Sequence, residues 1–217
     1  MTKKERYIRF IDYFSLHQPN AQTELNYNNP FELLVAVILS AQCTDKRVNL
    51  VTPNLFNKFP TPSSLAQADL ADVFDCIKSI SYPNNKAKHL IGMAQILVTE
   101  FKEIIPSDVS LLQKMPGVGR KTANVIASII YEAPTMAVDT HVFRVSKRLG
   151  LSNGKTPLAV ENDLTKNIPN DKIRIAHHWL ILHGRYICTA RNPQCGKCPI
   201  QGMCIFFGNR KGDIKLF

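Results

Sequence analysis

Four of the six cysteines lie close together near the C-terminus, in the pattern Cys-x6-Cys-x2-Cys-x5-Cys formed by Cys188, Cys195, Cys198 and Cys204. Clustered cysteines in a chain without a secretory signal indicate a metal site rather than a disulfide framework. Four thiolates suit either tetrahedral zinc or an iron–sulfur cluster. Zinc sites of this size usually contain two Cys-x2-Cys pairs, and this loop has one. The spacing therefore favours a [4Fe–4S] cluster. A zinc site remains the alternative.

A second segment, Met-Pro-Gly-Val-Gly-Arg-Lys-Thr-Ala at residues 115–123, combines a helix stop, two glycines and a basic helix start. Gly117 and Gly119 can both adopt positive φ, and neither covers the surface with a side chain. Backbone N–H groups at a helix that begins near Arg120 can then face an anion. The segment predicts a helix-hairpin-helix element that binds DNA phosphate without reading the base. A plain connection between two helices is the alternative.

The net charge of +10 resides entirely in the second half of the chain. Residues 1–108 contain 11 Lys/Arg and 11 Asp/Glu, whereas residues 109–217 contain 16 Lys/Arg and 6 Asp/Glu. A localised positive field attracts a polyanion, although a basic surface can also serve solubility alone. Arg191 and Lys197 lie inside the cysteine loop, where they are candidate phosphate contacts.

Helical periodicity dominates the chain, and no segment alternates for long as a strand would. The fold class predicted from the sequence is therefore all-α. The longest apolar stretch, Leu33 to Leu39, is far shorter than the ~18 residues that span a bilayer. The N-terminus has no apolar signal core, so we expect a soluble intracellular protein. Helices are predicted over 3–16, 31–41 after an Asn29 cap, 86–104, 107–114 after a Ser107 cap, 120–131, 140–149, 158–167 and 171–186.

The hairpin, the Val-Asp-Thr-His-Val stretch at residues 138–142 and the cysteine spacing together resemble the endonuclease III family. These are bifunctional DNA glycosylases with an abasic-site lyase activity. The resemblance implies two helical lobes that flank a DNA-binding cleft. A six-helix barrel would cover 23–133, with the helix-hairpin-helix at about 108–131. An iron–sulfur lobe would combine 1–22 with 134–217 and contain the cluster loop, 188–204.

The resemblance also implies roles for single residues. The catalytic lysine of the family corresponds to Lys121 and the catalytic aspartate to Asp139. Lys121 is expected in the first turn of a helix, where the positive end of the helix dipole favours the uncharged amine over the ammonium form. Asp139 is expected at the start of another helix, where the same dipole favours the carboxylate anion. Gln42 corresponds to a residue that fills the gap left by the extruded nucleotide, and Tyr82 takes the position of a second wedge residue. Ser81 departs from the family pattern, because relatives usually have glycine there.

The implied substrate is double-stranded DNA containing oxidised pyrimidines or abasic sites. A monomer acting in the cytoplasm, associated with the nucleoid, is expected. One alternative is a monofunctional, adenine-excising glycosylase of the same superfamily. That branch places a glutamate where Val37 lies and lacks the hairpin lysine, so both residues argue against it. The other alternative is a non-catalytic DNA-binding module that retains the hairpin and the cluster, against which the presence of both Lys121 and Asp139 argues.

Overall fold

The structure, a computed structural model, describes residues 1–213 and the side chains of residues 1–209. The described chain is helical, with no strand in that range. The helices are α1 (Lys3–His17), α2 (Pro30–Leu39), α3 (Asp45–Lys58), α4 (Pro62–Ala66), α5 (Leu70–Ile77), α6 (Pro83–Phe101), α7 (Val109–Leu112), α8 (Arg120–Tyr131), α9 (Thr140–Leu149), α10 (Pro157–Asn167), α11 (Asn170–Tyr186) and α12 (Ile205–Asp213). No described helix combines the length and apolarity needed to cross a membrane.

The chain divides into two compact units. The central unit is Glu24–Glu132, and the terminal unit combines Met1–Thr23 with the chain from Ala133 onwards. The central unit therefore contains α2 to α8, and the terminal unit contains α1 and α9 to α12.

Helix α2 forms the middle of the central unit. Nine of its ten residues, Phe31 to Leu39, are buried, and it packs against α3, α6 and α8. Its start is fixed by Asn29, whose side chain accepts a hydrogen bond from the Glu32 N–H, and by Pro30 in the first helical position. A proline there costs no hydrogen bond, because the first N–H groups of a helix have no partner within it.

Aromatic side chains of α1 and α11 pack against one another in the core of the terminal unit. Trp179 is fully buried, packs edge-on against Phe10 and stacks on Phe14. Its indole Nε1 donates to the Gln18 carbonyl oxygen at 2.8 Å. The hydroxyl of Tyr7 donates to the carbonyl oxygen of Leu151 at 2.9 Å. These bonds give the polar atoms of buried rings a partner, which burial requires.

Several predicted boundaries were wrong. The long helix begins at Pro83 and ends at Phe101, rather than covering 86–104. The short helix before the hairpin is capped by Asp108, not Ser107, and ends at Leu112. Asp108 is the better cap because its Oδ1 accepts two backbone hydrogen bonds, from Ser110 at 2.6 Å and Leu111 at 3.2 Å. Helices α3, α4 and α5 were not predicted.

Candidate active site, cluster loop and nucleic-acid interface

The hairpin joins α7 to α8 through a turn anchored by two buried side chains, Met115 and Val118. Gly117 adopts φ +79°, the left-handed region that favours glycine. A Cβ there would lie 3.0 Å from the Cβ of His89 and 3.2 Å from Cγ2 of Ile38, so the turn also approaches α6 and α2 closely. Both the backbone conformation and the close packing therefore favour glycine at position 117.

Gly119 differs from Gly117 in its backbone conformation. Its φ is −82°, so only Gly117 uses the positive φ that both glycines can adopt. It is the N-cap of α8 in an extended conformation, and a Cβ there would meet no atom within 4 Å. Because glycine has no side chain, no side-chain atom caps the first turn of α8, although the Gly119 carbonyl oxygen accepts a hydrogen bond from the Ala123 N–H at 2.9 Å. Arg120 and Lys121 follow directly as exposed residues in that turn.

Asp139 is the N-cap of α9 in the terminal unit and is half-buried. One carboxylate oxygen, Oδ1, accepts backbone hydrogen bonds from His141 at 2.8 Å and Val142 at 2.7 Å. The helix dipole favours a carboxylate at this position. The cap uses Oδ1 for both bonds, so Oδ2 is not needed to begin the helix.

Gln42 and Tyr82 lie in two turns of the central unit, which we call the Gln42 turn (residues 40–44) and the Tyr82 turn (residues 79–82). Both residues adopt a left-handed backbone, with φ of 55° and 57°. Both side chains are exposed, Tyr82 with 63% of its surface. The two turns are joined directly, because the Ser81 hydroxyl donates to the Gln42 carbonyl oxygen at 2.8 Å. The structure thus brings these two predicted contacts together.

The four clustered cysteines line one pocket in the terminal unit. The other lining residues are mostly apolar: Leu149, His183, Ile187, Pro193, Gln194, Gln201, Phe206 and Phe207. Among the described residues, no three His, Cys, Asp or Glu side chains are grouped as a single metal ion would require. Thiols spread around a pocket suit a cluster in which each iron atom binds one cysteine.

Burial raises the pKa of Cys198 to about 11 and also raises the pKa of Cys204. Buried thiols of this kind are neutral at pH 7 unless a cation stabilises the thiolate. Iron held by these thiolates would supply that positive charge. The donor set and its apolar surroundings therefore fit an iron–sulfur cluster.

Two arginines of α9 bind the first part of the cluster loop. Arg144 donates from Nε to the Cys188 carbonyl oxygen at 3.0 Å. Arg148 donates from Nη1 to the Thr189 carbonyl oxygen at 2.7 Å and from Nη2 to that of Ala190 at 2.8 Å. Sequence reasoning missed both residues. The sequence feature that could have identified them is their spacing. Two arginines four residues apart lie on one face of a helix that begins at Asp139.

Arg191 and Lys197 are exposed on the cluster loop, as the predicted phosphate contacts require. His141, by contrast, packs within the terminal unit: its Nδ1 lies 3.2 Å from Nη2 of Arg144.

Comparisons with known proteins agree with these features. Residues 35–170 match the HhH-GPD superfamily of base excision DNA repair proteins, and residues 188–204 match the iron-sulfur binding domain of endonuclease III. The endonuclease III of Rickettsia conorii is 50% identical over 203 residues, which cover 94% of this chain and 97% of that relative. The chain belongs to the endonuclease III family. The endonuclease III of Escherichia coli K12 is 42% identical over 214 residues, covering 99% of this chain and 100% of that protein.

A solved structure of an endonuclease III covers most of this chain. It is described as a trapped endonuclease III–DNA covalent intermediate in an estranged-adenine complex. It is 43% identical, covers 97% of this chain and 100% of its own, and has a TM-score of 0.91. As a member of the endonuclease III family, the protein is a DNA glycosylase and abasic-site lyase of base excision repair, with a [4Fe–4S] cluster as cofactor. The predicted all-α fold, enzyme class, cofactor and DNA partner are therefore confirmed.

Proposed function

We propose that this endonuclease III-family enzyme removes oxidised pyrimidines from double-stranded DNA and cleaves the resulting abasic site by β-elimination. The observation that carries the proposal is the position of Lys121, exposed in the first turn of α8 directly after the glycine turn. A lysine nucleophile must be accessible, and this one follows an element that binds a polyanion. A similar protein was trapped as a covalent intermediate with DNA, which is consistent with a nucleophilic residue in this family.

In the proposed reaction, the Lys121 amine attacks C1′ of the extruded nucleotide. A C–N bond forms, the bond from C1′ to the base breaks, and the base leaves with that electron pair and takes up a proton. Asp139 assists the proton transfer, and its negative charge offsets the positive charge that develops near the sugar. The attached nitrogen loses a proton, and its electron pair forms a C=N bond to C1′ while the bond from C1′ to the ring oxygen O4′ breaks; O4′ keeps that bond's electron pair and takes up a proton. The resulting protonated Schiff base acidifies the C2′ hydrogen. Loss of that proton breaks the bond from C3′ to its oxygen and cuts the strand 3′ to the lesion.

The remaining predicted residues hold the DNA. Backbone groups at Gly117 and Gly119, together with the Arg120 side chain, bind phosphate, and Arg191 and Lys197 add phosphate contacts from the cluster loop. Gln42 fills the gap left by the extruded nucleotide, and Tyr82 inserts as the second wedge residue. Extrusion costs a few kcal/mol and is easiest where base pairing is already weakened, so it contributes to selectivity.

The ligands of the [4Fe–4S] cluster in this proposal are Cys188, Cys195, Cys198 and Cys204. A cluster held by these four residues would stiffen the loop and would so present Arg191 and Lys197 to the DNA. We further propose that the enzyme acts as a monomer on chromosomal DNA in the cytoplasm, at the nucleoid. The central unit corresponds in this scheme to the six-helix barrel and the terminal unit to the iron–sulfur lobe.

Borohydride trapping tests the assignment of the nucleophile. The wild-type protein should form a reducible covalent adduct with duplexes that contain an oxidised pyrimidine or an abasic site. Lys121→Gln should form none. Lys114→Gln is the matched control, because it removes another exposed lysine of the same hairpin and should retain the adduct. Adducts at wild-type level with Lys121→Gln would refute the assignment, and base release without any adduct would indicate the monofunctional alternative.

A further inference from the structure

Lys86 lies in the first turn of α6 and is buried, with 6% of its surface exposed. Its Nζ donates to the carbonyl oxygens of Leu39 at 2.8 Å and Ala41 at 2.6 Å. These oxygens belong to the last turn of α2 and to the residue before Gln42. Burial lowers the pKa of Lys86. A cation at the C-terminal end of a helix is favourable, because carbonyl groups there have no partner within the helix.

The same residue also binds the Tyr82 turn. The backbone N–H of Lys86 donates to the Tyr82 carbonyl oxygen at 3.1 Å and so closes the first turn of α6. Lys86 therefore contacts the end of α2 through its side chain and Tyr82 through its backbone. The bond from the Ser81 hydroxyl to the Gln42 carbonyl oxygen, 2.8 Å long, is a second and independent connection between the two turns.

These connections surround two residues in an unfavourable conformation. Gln42 and Tyr82 are exposed and are not glycine, yet both have positive φ. Such a backbone persists only where surrounding contacts over-determine it. The bonds from Lys86 and Ser81 are among these contacts, because they fix the carbonyl oxygens of Ala41, Gln42 and Tyr82.

We propose that Lys86 and Ser81 are positioning residues that hold the Gln42 turn and the Tyr82 turn together, so that both side chains enter the base stack as one preassembled pair. The proposal rests on the proposed function, in which these two side chains contact DNA from which a nucleotide has been extruded. Preassembly lowers the conformational entropy lost on binding. Its benefit is largest where the protein must open a paired duplex, and smallest where the duplex is already open.

The test measures equilibrium binding, so that it does not depend on catalysis. Cluster-loaded Lys121→Gln protein is titrated against two duplexes of the same sequence and salt concentration. In one, 5-hydroxycytosine pairs with guanine; in the other, the same lesion lies opposite a one-nucleotide gap. Adding Ser81→Ala should raise the dissociation constant for the paired duplex by about three- to tenfold, the value of one net hydrogen bond. For the gapped duplex the change should stay below about twofold.

Two further variants separate positioning from a general loss of structure. Ser40→Ala is the matched control, because the Ser40 hydroxyl donates to the Val37 carbonyl oxygen at the same length, 2.8 Å, without joining the two turns. It should leave binding of both duplexes unchanged. Ser81→Thr retains a hydroxyl and should restore binding of the paired duplex. Ser81→Ala and Ser40→Ala each lose one hydrogen bond and should lower the midpoint in denaturant by similar small amounts.

Lys86→Met removes the Nζ donors and should show the same preference for the gapped duplex. Adding Ser81→Ala to it should then change little, because the pair is already uncoupled. If Lys86→Met fails to fold, the Ser81 variants alone decide the question. Equal binding of the paired duplex by Ser81→Ala and the parent protein would overturn the proposal, as would equal losses on both duplexes. Failure of the proposed function would instead appear as the absence of a trapped adduct when Lys121 is present.

Discussion

Replacing Asp139 by asparagine separates its structural role from its proposed catalytic role. The cap of α9 uses Oδ1, which accepts backbone hydrogen bonds from His141 and Val142 at 2.8 and 2.7 Å. The side-chain oxygen of asparagine can accept the same two bonds, and asparagine is as good an N-cap as aspartate. Asp139→Asn therefore preserves the start of the helix and removes the negative charge. Asp139→Ala removes both.

The structure sets the expected magnitudes. Loss of the cap in Asp139→Ala should cost about 1 kcal/mol of unfolding free energy, within the usual range for an N-cap aspartate. For a chain of this size that corresponds to a fall in Tm of about 2–4 °C. Asp139→Asn loses only the attraction between the carboxylate and the helix dipole, about 0.3–1 kcal/mol. Loss of proton transfer should lower the single-turnover rate of base release by about 10²- to 10⁴-fold in both variants.

Single-turnover base release and denaturant unfolding should be measured on the same preparations. Asp108→Asn is the matched control, because Asp108 also caps a helix through one oxygen, with bonds of 2.6 and 3.2 Å. We expect it to keep the wild-type rate to within about twofold, since no step of the proposed reaction uses its charge. If Asp139→Asn released the base at the wild-type rate, Asp139 would be a helix cap and nothing more. Equal losses in Asp139→Asn and Asp108→Asn would also refute a specific role.

Three further changes have clear expected outcomes. Gly117→Ala should lower the unfolding free energy by about 1–2 kcal/mol, because the φ of Gly117 is +79°. Gly119→Ala should change it by less than about 0.5 kcal/mol, since a Cβ there meets no atom. Equal effects of the two substitutions in denaturant titrations would contradict this. Arg148→Met should speed loss of the cluster's visible absorbance under a chelator severalfold, because its bonds to the cluster loop are lost. The exposed Lys147→Met is the control and should not. Burial lowers the pKa of His178 to about 4, so the unfolded state binds a proton from pH 6.5 downwards while the folded state does not. The free energy of unfolding should therefore fall by about 2 kcal/mol between pH 7 and pH 5 because of this group. Denaturant titrations at the two pH values should show a smaller fall for His178→Gln than for the wild-type protein.

Features set by a few neighbouring residues could be predicted from the sequence. The start of α2 follows from Asn29 and Pro30, and the end of the hairpin turn follows from two glycines before a basic helix start. Four closely spaced cysteines indicate one ligand loop independently of the fold of the rest of the chain. In each case the responsible interactions span only a few residues, so a single sequence contains all the information needed.

Helices α3 to α5 could not be predicted in the same way. Helix α3 contains Pro53, which removes a helical hydrogen bond, and its buried positions Val48, Thr52 and Leu55 include a polar residue. Helix α4 has five residues, too few for a periodic pattern. These helices are stabilised by packing, because α3 contacts α5, and α4 and α5 both contact α6. Tertiary contacts of this kind override weak intrinsic propensity.

The Tyr82 turn shows why a departure from the family pattern can be misjudged from sequence alone. Serine in place of glycine at position 81 suggests a disturbed turn, because glycine often marks a left-handed residue. In this chain, however, the left-handed residue is Tyr82, and Ser81 is not among the positive-φ positions. The added hydroxyl instead binds the Gln42 carbonyl oxygen, 39 residues earlier in the chain. Lys86 is a similar case, since a lysine at a helix start suggests solvent exposure, yet it is buried against carbonyl groups 45 and 47 residues away. Contacts at such separations depend on how α2 and α6 pack. Local sequence therefore indicates the candidate DNA contacts but not the residues that hold them in place.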